Sequence, residues 1–309
     1  MVDVDTFLTQ LYCKVDEFCK TLPPAPTRPG PAPALSRPEV ITLAVFGQWA
    51  RFQSERDFYR FAEQRLTGLF PTLPNRTQFN RQQRLHQPAL VAFGQQVAQE
   101  EIDSNDLYEA LDCTGVETRN AKRRGLGWLP GQANLGYSNR VGWYEGFHLL
   151  VSTRPSGVIT GFGFAPASAK DQPMAESFFR LRSDPHEGFE SVGAFSGLPY
   201  LADRGFEGQA AHQRWREAYQ APVLSAPKRN SRSPWSKPLR RWLAGLRQIV
   251  ETVFGKLQLT FRLQFERPHT FLGFQARLAA KMALHNFCIA LNRSLGRPSL
   301  AFADLLGWL

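Results

Sequence analysis

Residues 107–116, 143–153 and 158–168 read LYEALDCTGV, WYEGFHLLVST and VITGFGFAPAS. Each stretch is short and rich in aromatic, β-branched and aliphatic side chains, the composition of a strand rather than of an amphipathic helix. The last two flank Arg154-Pro155-Ser156-Gly157, whose proline and glycine suit a hairpin turn. Three consecutive strands are therefore predicted. Downstream the pattern alternates: a helix over about 171–182, a strand ending in LPYLAD, a helix over about 207–219, a strand APVLSA and a long helix over about 239–258. Consecutive strands followed by strands alternating with helices predict a mixed α/β sheet covered by helices. A last amphipathic helix, over about 268–293, closes this region.

Upstream the period is helical. Phe7, Leu8, Leu11, Val15 and Phe18 recur at helical spacing, and then a run of prolines from Pro23 to Pro38 removes the amide donors a helix needs. Such a run favours a stiff, extended spacer. Ser36 with Glu39, and Ser54 with Asp57, have capping-box spacing in front of two helices. A third helix starts at about Arg76 and carries Arg76, Arg81, Arg84 and His86, and a fourth covers roughly 88–101. Short helices with a late basic one fit either a helix-turn-helix that reads DNA or a plain bundle with a solvated basic face. The boundaries expected are an N-terminal helix (1–22), a proline-rich linker (23–38), a helical DNA-binding domain (39–102), a catalytic domain (103–294) and a C-terminal tail (295–309).

The chain has 309 residues, 43% hydrophobic and 21% charged, which excludes a disordered, collagen-like or coiled-coil protein. Lysine plus arginine is 37 against 27 acids, a net charge of +10, and such an excess points to a polyanionic partner. Cys13, Cys19, Cys113 and Cys288 form no Cys-x-x-Cys pair and have no histidine at zinc-finger spacing, so reduced thiols are expected, with neither a zinc site nor a disulfide framework. No secretion signal or apolar span of about 18 residues is legible, which predicts a cytoplasmic, nucleoid-associated protein with no membrane contact.

Three acids stand apart by their setting. Asp112 lies late in the first strand, Asp203 at the C-terminal end of a later strand before Arg204-Gly205, and Glu251 inside the long helix, one step of about 100° from Val250 on the apolar stripe. Strand ends are where ligands bind in open α/β sheets. Carboxylates gathered there can hold magnesium, a hard cation that takes oxygen ligands. Asp171, in AKDQP, is a competing acid with a bland explanation as a helix N-cap. Between Glu217 and Glu251 there is no acid, yet Lys228, Arg229, Arg232, Lys237, Arg240, Arg241 and Arg247 occur, with Trp235 and Trp242 among them. That segment fits phosphate neutralisation with stacking indoles, or a solvated loop with Trp242 in the core. Arg119, Lys122, Arg123 and Arg124 offer a second phosphate contact or a charged hairpin loop. His148, on an apolar strand, is expected to be a hydrogen-bonded core residue rather than a ligand. Arg277, Lys281 and His285 form one stripe of the last helix, which either faces solvent or lines a DNA groove.

Asp203-Arg204-Gly205-Phe206, and Arg247 four residues before Glu251 in RQIVETVFGKL, resemble the DDE transposases of bacterial insertion sequences. In that family the second carboxylate opens an Asp-Lys/Arg-Gly-Tyr/Phe motif. The third lies in a helix of the form Tyr, two residues, Arg, three residues, Glu, six residues, Lys. Here the tyrosine position is Ala244 and the lysine position Gln258, with Lys256 nearby as a replacement. Asp112 in LDCTGV fits the first carboxylate. The order of elements agrees along most of the chain, and only 47 residues separate Asp203 from Glu251, which excludes a large inserted domain. The resemblance implies an RNase H-like mixed sheet flanked by helices, with an N-terminal all-helical domain. It also implies two magnesium ions, or manganese, held by Asp112, Asp203 and Glu251 for phosphoryl transfer. The implied activity is cleavage of DNA 3′ ends and strand transfer, with terminal inverted repeats and target DNA as partners and a homo-oligomer on DNA. A related nuclease without strand transfer, and a non-catalytic DNA-binding protein, are the alternatives.

Overall fold

The computed structural model describes residues 1–24, 32–122, 127–138, 142–184, 190–227, 231 and 233–308. Along the chain come β1 (Val2–Asp3), α1 (Val4–Thr21), α2 (Arg37–Phe46), α3 (Glu55–Arg65), α4 (Arg76–Leu85) and α5 (Gln87–Glu100). The sheet region follows with β2 (Glu109–Asn120), β3 (Asn134–Ser138), β4 (Gly142–Thr153), β5 (Ile159–Pro166), α6 (Asp171–Ser183), β6 (Tyr200–Ala202), α7 (Gln209–Tyr219), β7 (Val223–Ser225) and α8 (Lys237–Leu259). The long α9 (Phe271–Ser294) and a two-residue β8 (Leu306–Gly307), parallel to β1, end it.

The helix starts are fixed by local chemistry. Asp3 accepts the Thr6 amide at 2.8 Å and opens α1. Ser36 and Glu39 form the full reciprocal box, with the Glu39 carboxylate accepting the Ser36 amide at 2.6 Å. Pro38 falls in the first turn of α2, where no amide donor is required. At α3 only half of the box forms: Ser54 accepts the Asp57 amide, while the Asp57 carboxylate accepts the amide of Gln53. From Val40 to Phe46 every residue of α2 is buried, as expected for a helix apolar all round.

The main sheet has the order β3-β4-β2-β6-β7, with β5 also paired to β4. β2 with β4 and β4 with β5 are antiparallel, whereas β6 runs parallel to both β2 and β7. Three antiparallel strands followed by two parallel ones, with β2 in the middle, make the RNase H-like arrangement. The hairpin between β4 and β5 turns at Gly157, where φ is +88°, a value glycine adopts without a steric cost. β3 lies between the first two expected strands and lacked an apolar signature, since Leu135 and Tyr137 are exposed on it.

Alternation along the strands divides the interior. Ala110, Val116, Phe147, Leu149 and Val151 point to one face and join a single apolar cluster with α1, α2, α5, α8 and α9. Leu111 and Leu150 point to the other face, where Met174, Phe178 and Phe179 of α6 and Trp215 of α7 cover them. At the start of β2, the fully buried Glu109 accepts Arg182 Nη1 at 2.6 Å and the hydroxyls of Ser152 and Thr160. Arg182 also reaches the Tyr200 hydroxyl at 2.9 Å. This network ties β2, β4, β5, α6 and β6 together three residues before Asp112.

Candidate active site

Parallel pairing brings two of the three acids together. β2 and β6 are in register at Glu109–Tyr200, Ala110–Leu201 and Leu111–Ala202. One residue further on, Asp112 and Asp203 are level on neighbouring strands, which lie about 4.8 Å apart in any sheet. Asp112 Oδ1 accepts the Cys113 amide at 2.8 Å, and Oδ2 accepts Arg247 Nη2 at 2.8 Å. Asp203 caps the short 3-10 turn Arg204–Phe206, its Oδ1 accepting the Gly205 amide at 2.7 Å. Burial pushes the Asp112 carboxyl up to about 7; Arg247 opposes that rise, and the charges of Asp203 and Asp171 add to it. Acids crowded so closely, with the Arg247 guanidinium beside Asp112, form a site deficient in positive charge.

The third acid rides on α8. Tyr108 Oη donates to the Leu246 carbonyl at 3.3 Å, Arg247 meets Asp112, and Gln258 Nε2 donates to Thr114 Oγ1 at 3.2 Å. The helix therefore runs along β2 on the face that displays Asp112 and Thr114. At about 100° per residue, Glu251 is turned about 40° from Arg247 and about 20° from Gln258, so it lies at the solvent-facing edge of the side that carries these two anchors. Glu251 is exposed, and among the described residues it is hydrogen-bonded to neither aspartate.

Asp171 departs from its expected role. Lys170 holds the N-cap position of α6 and no side chain caps that helix, so N-capping does not explain the acid. Instead Asp171 leans over Gly205, where a Cβ would collide with its Oδ2 and lie 2.9 Å from Asp203 Oδ1. Its Oδ1 is 3.6 Å from His148 Nε2. Burial, together with the Asp203 charge, raises the Asp171 carboxyl, while His148 opposes the rise. His148 is hydrogen-bonded as expected, its Nδ1 lying 2.9 Å from the Ala169 carbonyl oxygen. No spacing rule connects Cys113, His148 and Asp171; strand register brings the first two together, and the start of α6 brings the third.

Asp112 lies early in β2, which runs on to Asn120, and not late in its strand as expected; Asp203 alone follows the end of its strand. With the Arg-and-Glu helix alongside, the two aspartates can be compared with known proteins. The profile of the transposase DDE domain family matches residues 110–287, more than half of the chain, and spans all three acids. The chain belongs to this DDE transposase family. Among solved structures, the Mos1 transposase paired-end complex with left transposon end is 12% identical, covering 76% of this chain and 80% of that one at a TM-score of 0.25. The Mos1 strand transfer complex is 13% identical, covering 85% and 80% at a TM-score of 0.25. Superpositions this loose assign no residue roles. No curated protein matches the chain.

The basic candidates of this transposase-family chain are spread over two regions. Arg76 and Arg81 are exposed on α4 and Arg84 is half-buried there. Lys237 and Arg241 are exposed in the first turns of α8, with Arg240 half-buried beside them, and Trp235 just before the helix is also half-buried. Trp242 is 51% exposed rather than in the core. Lys256 packs its ammonium 5.7 Å from the Phe302 ring, away from the stripe of Arg247 and Glu251. Lys228, Arg229 and Arg232, and likewise Arg123 and Arg124, lie outside the described residues. Arg119 is ion-paired with Glu145 at 2.9 Å.

The charged stripe of α9 neither faces solvent nor lines a groove. Arg277 pairs with Glu266 at 2.9 Å and Glu55 at 2.7 Å, Lys281 with Glu266 at 3.0 Å and Gln48 at 2.9 Å. His285 faces the Gly157 carbonyl at 2.9 Å, and burial lowers it to about 4, so the ring is neutral. Distant partners just past α2, on α3 and in the 260s loop make this burial possible. Among the described residues no helix is long and apolar enough to cross a membrane.

Proposed function

We propose that the chain is an insertion-sequence transposase that cleaves DNA 3′ ends and transfers them to target DNA, using divalent metal held by Asp112, Asp203 and Glu251. The observation that carries this reading is the level placement of Asp112 and Asp203 beside the helix of Arg247 and Glu251, within the span matched by the family. The donor set fits a hard cation: all three side chains offer carboxylate oxygens, and the elevated Asp112 carboxyl is relieved by added positive charge. Magnesium ions held there would lower the pKa of a water, or activate a DNA 3′-hydroxyl, and stabilise the leaving oxygen of the scissile phosphate.

The chain's own residues would do the rest. Asp112, fixed by the Cys113 amide, would hold the metal together with Asp203 and Glu251. Arg247, freed from Asp112, would neutralise a backbone phosphate. Arg76, Arg81 and Arg84 on α4, and Lys237, Arg240, Arg241 and Lys256 with Trp235 around α8, are the proposed phosphate and base contacts, as are Lys228, Arg229 and Arg232. Terminal inverted repeats and target DNA are the proposed substrates. Joining two ends calls for a homo-oligomer on DNA.

The test uses duplexes carrying the inverted repeats that flank the reading frame. Magnesium-dependent nicking and strand-transfer products are expected from the native chain. Asp203→Asn should abolish both and leave DNA retention unchanged. Nicking without joined products would favour a nuclease, and cleavage untouched by Asp203→Asn would reject the site.

A further inference from the structure

Consecutive residues of β2 point to opposite faces of the sheet, so Cys113 turns away from the α8 side that Asp112 occupies. In the antiparallel register Cys113 is opposite Leu150 and Gly115 is opposite His148. Cys113 and His148 are thus diagonal neighbours on one face, within reach of each other. Asp171, in the first turn of α6, closes the third side. One donor atom from each residue, the Cys113 Sγ, a His148 ring nitrogen and an Asp171 carboxylate oxygen, all lie within 4.8 Å of one another.

The histidine is already oriented. Ala169 offers a carbonyl oxygen, which only accepts, so Nδ1 carries a proton and Nε2 is the nitrogen that the neutral ring can offer a metal. Nε2 lies on the side of Asp171, 3.6 Å from its Oδ1. An imidazole held through a backbone carbonyl on one nitrogen and open on the other has the arrangement common to metal-ligating histidines. The Cys113 thiol shares a hydrogen bond with the same carboxylate.

From this geometry we infer that Cys113, His148 and Asp171 form a binding site for a zinc-class divalent cation, on the opposite face of β2 from Asp112. Sulfur and imidazole nitrogen select a borderline-soft ion, in contrast to the oxygen-only donors of the proposed catalytic set. Zinc bonds of about 2.3 Å to sulfur and about 2.0–2.2 Å to nitrogen and oxygen place tetrahedral donors about 3.3–3.7 Å apart. The trio therefore needs to close by at most about 1.5 Å from its widest separation of 4.8 Å, within the range of side-chain rotation. Binding would form a metal–sulfur bond and release the Cys113 proton to solvent. Three protein donors leave the fourth position to water. The absence of zinc-finger spacing, which argued against zinc from sequence, does not apply to ligands gathered by strand register. This site does not depend on the transposase reading, since the three residues and their donor types define it.

The test is cobalt substitution in the full-length chain stripped of metal with EDTA. Titration with Co²⁺ should give a thiolate-to-cobalt charge-transfer band that saturates at one ion per chain, that Zn²⁺ displaces and that excess Mg²⁺ does not. Cys113→Ser and His148→Gln should each remove the band, whereas Asp203→Asn should retain it. No thiolate band, or a band that survives Cys113→Ser and so belongs to Cys13, Cys19 or Cys288, would overturn the assignment. Displacement by Mg²⁺ would do the same. If Cys113→Ser does not fold by circular dichroism, His148→Gln decides alone, because it leaves every thiol in place.

Discussion

Replacing Asp112 by Asn should remove catalysis and at the same time stabilise the protein above neutral pH. Burial carries the Asp112 carboxyl to about 7 in the folded chain, against about 3.9 when unfolded. Between those values the native state holds a proton that the unfolded state has lost, so stability falls as pH rises from about 4 to about 7. Above that window the full cost of ionising Asp112 is present. At about 1.4 kcal/mol for each tenfold change, the gap amounts to about 4 kcal/mol. Asn resembles the protonated acid in shape and still offers Arg247 an acceptor, so it escapes this cost. Urea unfolding of both proteins in EDTA, at pH 4 and pH 8, isolates the effect as a difference of differences. Asp112→Asn should gain about 4 kcal/mol relative to the native chain on going from pH 4 to pH 8. Saturating Mg²⁺ should shrink that gain by stabilising only the native chain. A gain below about 1 kcal/mol would refute the claim that Asp112 is held as a buried acid pressed by like charges.

Other expectations follow from separate parts of the molecule. Glu109→Gln leaves the buried Arg182 guanidinium without its counter-charge and should cost about 3–5 kcal/mol in urea unfolding; the double variant Glu109→Gln with Arg182→Met should recover part of it, and a loss under about 1 kcal/mol would remove the network from the account. Gly205→Ala puts a methyl group against Asp171 and Asp203, so magnesium-dependent cleavage should fail with a stability cost of only about 1–3 kcal/mol; full activity would mean that the position of Asp203 is not critical to catalysis. DNA affinity should fall linearly with the logarithm of salt, and Lys237→Ala and Arg241→Ala should each reduce the slope by about one. An unchanged slope in both would take the start of α8 out of the DNA interface.

The sheet was legible because β2, β4 and β5 carry dense apolar and aromatic runs and the Arg154–Gly157 turn announces itself. β3 was not, as NLGYS is only five residues long, with Gly136 between its two large side chains and polar residues at both ends. Asp203 was readable as a strand-end acid because it follows an apolar run; Asp112 was picked out by the same signal but lies early in β2, whose polar second half hid its true length. Asp171 was hidden by its own helix: an acid in a first turn looks like a cap, and only the contact with Gly205 and His148 reveals another role. The α9 stripe shows the same limit in reverse. Periodicity placed Arg277, Lys281 and His285 on one face but was silent about Glu55 and Glu266, which come from remote segments and neutralise it, and about Gln48, which accepts a hydrogen bond from Lys281. Local chemistry is written locally, whereas charge pairing across the core is not.

The most direct examination of the metal centre is a crystal structure of the full chain soaked with Mn²⁺, read by anomalous scattering. Peaks within coordinating distance of Asp112, Asp203 and Glu251 together are the expected result. Manganese bound elsewhere, or Glu251 turned to solvent while the aspartates alone hold an ion, would contradict the proposed three-carboxylate centre.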